Sequence, residues 1–262
     1  MTPEPTPQLD APAEATGISR PLSDNVNLLG SLLGDAIRAQ AGDPVFEEVE
    51  ELRQLCKRAA EEGDPSLREE AASRIRELDD DTLGWLLRAY SAFFHLVNQA
   101  EKREILRINR ERSQGDAPRP ESIAEAIRRL RDEGRGLDEV VAILRRLDIQ
   151  PTLTAHPTEA RRRTLLQVQR RIAELLAELR RPDATEAESR WAAESLSNQV
   201  TLLLATAEVR VERPSVRDEV GQGLYFLEST IWDTAPRIHR DVERALREAY
   251  GDAADDVDVP VF

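Results

Sequence analysis

Cysteine is nearly absent: Cys56 stands alone among 262 residues, so an intrachain disulfide is impossible and a cysteine-built zinc cage is excluded. Lysine is almost as scarce, with only Lys57 and Lys102 among 36 basic residues; GC-rich and salt-adapted sources both produce that bias. No run approaches the ~18 consecutive apolar residues of a membrane span. The opening MTPEPTPQLDAPAEATG has neither the basic nor the apolar region of a signal peptide. These absences predict a soluble, cytoplasmic chain. There is no repeat of fixed period, and no Gly-rich phosphate loop, since GQGLYF at 221–226 lacks a preceding strand and a third glycine. His95, His156 and His239 are too scattered to give a metal-ligand spacing.

What is abundant is acid. Fifty acidic residues against 36 basic ones leave a net charge of −14, spread along the chain, which argues against nucleic acid and anionic membranes as partners. A hydrophobic content of 40% suits a folded protein with one sizeable core or two modest ones. Val45, Val49, Leu52 and Cys56 recur at helical spacing, so Cys56 is expected to be a small buried core residue.

Residues 1–20, rich in Pro, Thr, Ala and Glu, read as a disordered tail. A helical region follows over 21–112, with structure beginning near Ser23 and with Asp43-Pro44 and Asp64-Pro65 placed as helix starts. Its clearest helix runs from the acids at 79–81, with Leu83, Leu87, Tyr90, Phe94, Val97 and Glu101 stepping along one side. SQGDAPRP at 113–120 reads as a linker. Beyond it, 121–262 opens with a helix pair: Ile123, Ile127 and Leu130 on one face, Gly134 and Gly136 at the break, and Leu137, Val140, Val141, Leu144 and Leu147 on the next. IQPTLTA then changes period and predicts one buried strand near 150–155. The next helix carries Leu165, Val168, Ile172, Leu175 and Leu179 on a stripe and stops at Pro182. Two long helices follow, split by ERPS at 212–215, and the final VDVPVF looks like a strand beginning as the sequence stops, as in a chain cut in mid-domain.

The chemistry centres on PTLTAHPTEARRRT, residues 151–164. Pro157 pushes His156 out of helical geometry, which places it at a strand-to-helix corner, where α/β proteins collect reactive side chains. Thr158 then serves as an N-cap, and Glu159 suits the positive end of the helix dipole. Arg161, Arg162 and Arg163 oppose that dipole by up to about 1 kcal/mol each, so protein carboxylates or a bound phosphate are expected to compensate. His156 is then either a turn residue bonded to a backbone carbonyl, or a group of near-neutral pKa that moves a proton or steadies a phosphoryl oxygen. His95 and His239 fall within helical patterns and read as satisfied or solvent-facing residues.

LTAHPTEARRRT closely resembles the histidine signature of the phosphoenolpyruvate carboxylases, here Thr154 to Glu159 followed by Arg162, Arg163 and Thr164. NVNLLGSLLGDAI near residue 25, AFFHLVNQAEK at 92–102 and ATAEVRVERPSVRDEVGQGLYFLESTIWDTAPRI resemble other segments of that family in the same order. The resemblance implies the N-terminal part of a subunit several times longer, mainly α-helical, with the strand at 150–155 as the first of a helix-wrapped β/α (TIM-like) barrel. It implies an Mg2+-dependent carboxy-lyase that joins bicarbonate to phosphoenolpyruvate, giving oxaloacetate and phosphate and so supplying four-carbon acids to the tricarboxylic acid cycle. His156 is then the catalytic residue of the carboxyphosphate steps; Arg162 and Arg163 match the motif without an assigned step. By the same resemblance the protein forms a homotetramer under allosteric control. The Mg2+ ligands, a Gly-rich basic loop and further catalytic Lys and Arg residues are expected beyond Phe262, so this chain alone is expected to be inactive. Two other readings differ in class: a histidine-phosphotransfer module, which the proline after His156 opposes, and a non-catalytic helical assembly fragment.

Overall fold

A computed structural model describes residues 19–115, 117–150, 163–206 and 215–259. The helices are α1 (Arg20–Ala41), α2 (Asp43–Glu62), α3 (Pro65–Glu77), α4 (Asp80–Arg112), α5 (Ile123–Asp132), α6 (Leu137–Leu144), α7 (Arg163–Leu179), α8 (Glu186–Ala205), α9 (Val216–Phe226) and α10 (Trp232–Tyr250). A π-helical turn at Leu227–Ile231 joins α9 to α10, and a 3-10 turn follows at Gly251–Ala254. The described residues contain no strand and no helix long and apolar enough to cross a membrane. The expected strand lies outside the described residues except for Gln150, which is not in a strand; so do most of the expected tail, residues 212–214 of ERPS and residues 260–262 of the final segment. Val257, Asp258 and Val259 form no strand.

Helix starts follow the local chemistry. The hydroxyl of Ser19 accepts from the Leu22 N–H at 3.3 Å with Pro21 in the first turn, so α1 begins at Arg20 rather than near Ser23. Asp64 accepts from the Ser66 N–H at 2.8 Å ahead of Pro65, and Asp79 accepts from Thr82 N–H at 2.9 Å. Gly63 ends α2 with φ of 65°, a left-handed conformation that suits a residue without Cβ.

The described residues fall into two compact units. The first joins α1–α3 and α4 as far as Ile105 to α7 and α8. Its main core sets Leu29, Leu33 and Ile37 of α1 with Leu96 of α4, Ile172 and Leu176 of α7, and Leu196 and Val200 of α8. A second cluster joins Leu52 and Leu55 of α2 to Ala71 of α3 and Leu86 of α4, and Arg74 of α3 adds a forked pair to Glu48 of α2, at 2.5 and 2.9 Å. The second unit holds the end of α4 with α5, α6, α9 and α10. Ile127, Val140 and Leu144 pack there against Val242, Ala245 and Leu246.

Two expectations about which faces are buried need correction. Cys56 is exposed. The first half of α2 faces α1 through Val45 and Val49, but the second half turns toward α3 and α4, so the buried line becomes Leu52, Leu55 and Ala59 and passes Cys56 by. On α4, Leu87 and Phe94 are more than 60% exposed, while the buried line is Leu86, Ala89, Ala92, Leu96 and Ala100. Neighbouring chain comes in against the alanines, so a stripe chosen by side-chain bulk selects the adjacent line.

The start of α8 carries a capping box with a testable ionisation. The Glu188 carboxylate accepts from the Thr185 N–H and hydroxyl, both at 2.8 Å, and pairs with Arg181 at 2.7 Å. The Thr185 N–H first, and then Arg181, hold the Glu188 carboxyl at about 2 against an ordinary value of 4.5. Since the folded value is depressed, the stabilisation is complete above the unfolded value and fades as pH falls toward about 2. A carboxyl NMR titration should place the Glu188 midpoint near 2; a midpoint near 4.5 would mean that the box does not form.

Candidate functional site

The motif reaches the described residues at its helical end. Residues 151–162, which include His156, Thr158, Glu159, Arg161 and Arg162, lie outside them. Arg163 opens α7, and it and Thr164 are exposed, whereas Leu165 is 1% exposed and locked into the core. Val168, Ile172, Leu175 and Leu176 continue that buried line, so the helix that follows the motif is held along its whole length. The first turn of α7 as described, from Arg163 to Leu166, carries no acid.

The other two histidines belong to separate places. His95 is buried on α4, within the apolar face of the first unit. His239 of α10 sets Nε2 3.1 Å from the Val259 carbonyl oxygen and Nδ1 3.6 Å from the Glu243 carboxylate. The contact with Val259 ties the segment after the 3-10 turn back onto α10.

Sequence reasoning missed a set of buried polar groups in the first unit: Asn25, Gln99, Glu104 and Gln169. Arg180, just past α7, donates from Nε and Nη2 to Asn25 Oδ1, each at 3.3 Å. Ser19 donates its hydroxyl to Glu104 at 2.5 Å and so binds the start of α1 to α4. The amide nitrogen of Gln169 is buried without a partner. His95 and Gln99, four apart on the face that carries Leu96 and Ala100, were the available signal. Tyr90, earlier on the same helix, has its hydroxyl pushed up to about 12, chiefly by burial.

In the second unit a cleft of about 680 Å³ opens beside the segment between α4 and α5, lined by Ala117, Pro118 and Pro120 with Arg112, Arg128, Glu121 and Glu125. Its charges balance.

A family model for phosphoenolpyruvate carboxylase matches residues 22–261. The chain belongs to the phosphoenolpyruvate carboxylase family. It is 60% identical over 248 residues to the phosphoenolpyruvate carboxylase of Rhodothermus marinus, a match that covers 94% of this chain and 26% of that one. The enzymes of the same name from Thermus thermophilus and Roseiflexus castenholzii are 41% and 42% identical, each over 88% of this chain and about a quarter of their own length. The chain thus spans about a quarter of the length of the curated carboxylases it matches, and the histidine motif lies inside the matched span. Among the described residues no three His, Cys, Asp or Glu side chains gather as a metal-binding set. No set of donors among the described residues fits the Mg2+ that the family resemblance implies, whose ligands are expected beyond Phe262.

Proposed function

We propose that the chain works as part of a phosphoenolpyruvate carboxylase, which carboxylates phosphoenolpyruvate with bicarbonate to give oxaloacetate and phosphate. The observation that carries this reading is the continuous family match over residues 22–261. In the proposed cycle the bond from phosphorus to the enol oxygen breaks as one to a bicarbonate oxygen forms, giving carboxyphosphate and the enolate of pyruvate. Carboxyphosphate releases CO2 and phosphate, and the enolate carbon attacks CO2.

His156 is assigned to the carboxyphosphate steps, where an imidazole of near-neutral pKa can hold or release one proton. Pro157 supports that role by favouring an extended backbone at His156, at the end of the strand proposed for 150–155. That strand is taken as the first of a β/α barrel, with 21–112 as a helical region, 113–120 as a linker and 121–262 as the start of the barrel region. Mg2+ dependence, tetrameric assembly, allosteric control and a cytoplasmic location belong to the same reading.

The test is a chimera in which this chain replaces the matched quarter of the Rhodothermus marinus enzyme, assayed with phosphoenolpyruvate, bicarbonate and Mg2+ beside the isolated chain. Oxaloacetate should form with the chimera and not with the isolated chain. A folded chimera that makes none, while the parent enzyme is active, would refute the reading.

A further inference from the structure

The helical run from Val216 to Tyr250 in the second unit carries one apolar line, and only half of it is covered. At about 100° per residue, positions 216, 220, 224 and 227 fall within about 80° of one another. In an unbroken α-helix Trp232 would sit ~140° round from Leu227. The π-helical turn prevents this: the Trp232 N–H donates to the Leu227 carbonyl, and a turn closed between residues five apart brings the two side chains back toward one line. Val242 and Leu246 continue the line and are buried against α5 and α6. Upstream, Val216, Val220, Leu224, Leu227 and Trp232 are 44% to 78% exposed, and α9 buries no residue at all. A contiguous apolar stripe of this kind, ending in an established core, is the mark of an interaction surface.

We propose that this stripe is the docking surface for the carboxylase polypeptide that the relatives carry beyond the matched quarter, and that the π-helical turn exists to keep Trp232 on it. Two observations select that occupant. The stripe runs directly into the core of the second unit, so its cover extends that core, and about three quarters of each relative's length lies outside the match. A second copy is the weaker candidate, because it would bring together two chains of net charge −14. The proposal rests on the reading that the chain works within a longer carboxylase.

The test uses a Cys56→Ser background, with Leu224→Cys on the stripe or Arg240→Cys away from it, in the isolated chain and in the chimera. Maleimide should react at position 224 at least about 10-fold more slowly in the chimera than in the isolated chain, with position 240 equally reactive in both. Equal rates at 224 would overturn the proposal, as would protection in the isolated chain together with a dimer in sedimentation. Oxaloacetate formation is scored separately, so a chimera protected at 224 but inactive fails the activity reading alone. A second measurement needs no chimera. The Val220→Glu, Leu224→Glu double variant of the isolated chain should keep its midpoint within about 2 °C and lose at least about half of its binding of an apolar fluorescent dye. A fall of about 10 °C would place the stripe's cover within this chain and overturn the proposal.

Discussion

His156→Asn in the chimeric carboxylase is expected to lower oxaloacetate formation by about 10²–10⁴-fold, the usual worth of a positioned acid-base group. Asparagine keeps a polar, hydrogen-bonding side chain of similar reach and cannot titrate near neutrality. The loss should therefore fall on kcat, with KM for phosphoenolpyruvate changed by less than about threefold, because a group that acts on carboxyphosphate contributes little to ground-state binding of phosphoenolpyruvate. The residual activity should also lack the dependence on neutral pH that an imidazole imposes. A merely structural turn histidine would give the opposite pattern: nearly unchanged kcat, an unchanged pH profile and a lower melting temperature. Wild-type turnover in the variant would remove His156 from the mechanism while leaving family membership untouched.

Leu196→Ala should be among the most damaging core truncations in the first unit. Leu196 is fully buried on α8, in the cluster that also holds Leu33 of α1 and Ile172 of α7. Truncation removes transfer energy and leaves a cavity between helices that meet over several turns, at a cost of about 3–4 kcal/mol. Thermal unfolding followed by circular dichroism should show a midpoint lower by roughly 10 °C. Leu87→Ala is the matched control, since Leu87 is 62% exposed, and should stay within about 0.5 kcal/mol of wild type. Equal effects at the two positions would mean that the packing of α1, α7 and α8 is not the one described.

The elements that were legible in the sequence are those whose ends carry chemistry. Asp43-Pro44 and Asp64-Pro65 mark helix starts because proline is best tolerated in the first turn, and the acids at 79–81 mark another because they complement the dipole. The stripe on α7 was legible because its buried residues are all large. Burial on α2 and α4 was not, for reasons that lie outside either helix. Cys56 is exposed because α2 changes partners midway, and Ala89, Ala92 and Ala100 are buried because other chain comes in against them. The π-helical turn at Leu227–Ile231 left no mark in the apolar period that its neighbours share. At the candidate site, the motif itself was legible from residue types in order, and α7 begins within it, at Arg163. The hydrogen bonds from Arg180 to Asn25 and from Ser19 to Glu104 join residues 155 and 85 apart and could come only from the fold.

The first unit is assembled from two stretches of chain with residues 106–160 of the second unit between them, and this sets an order of events during synthesis. The apolar face of α1, with Leu29, Leu33 and Ile37, packs against α8, and Gln40 reaches the Thr201 carbonyl across 161 positions. At ~5–20 residues per second, a ribosome needs roughly ten to thirty seconds to supply α8 after α1 has emerged. Throughout that interval α1 must keep its leucines provisional, half-covered by α2 or sheltered by a chaperone. Slow stretches of translation between α1 and α8 would lengthen that exposure, whereas the same pauses placed after α8 would leave the first unit already closed.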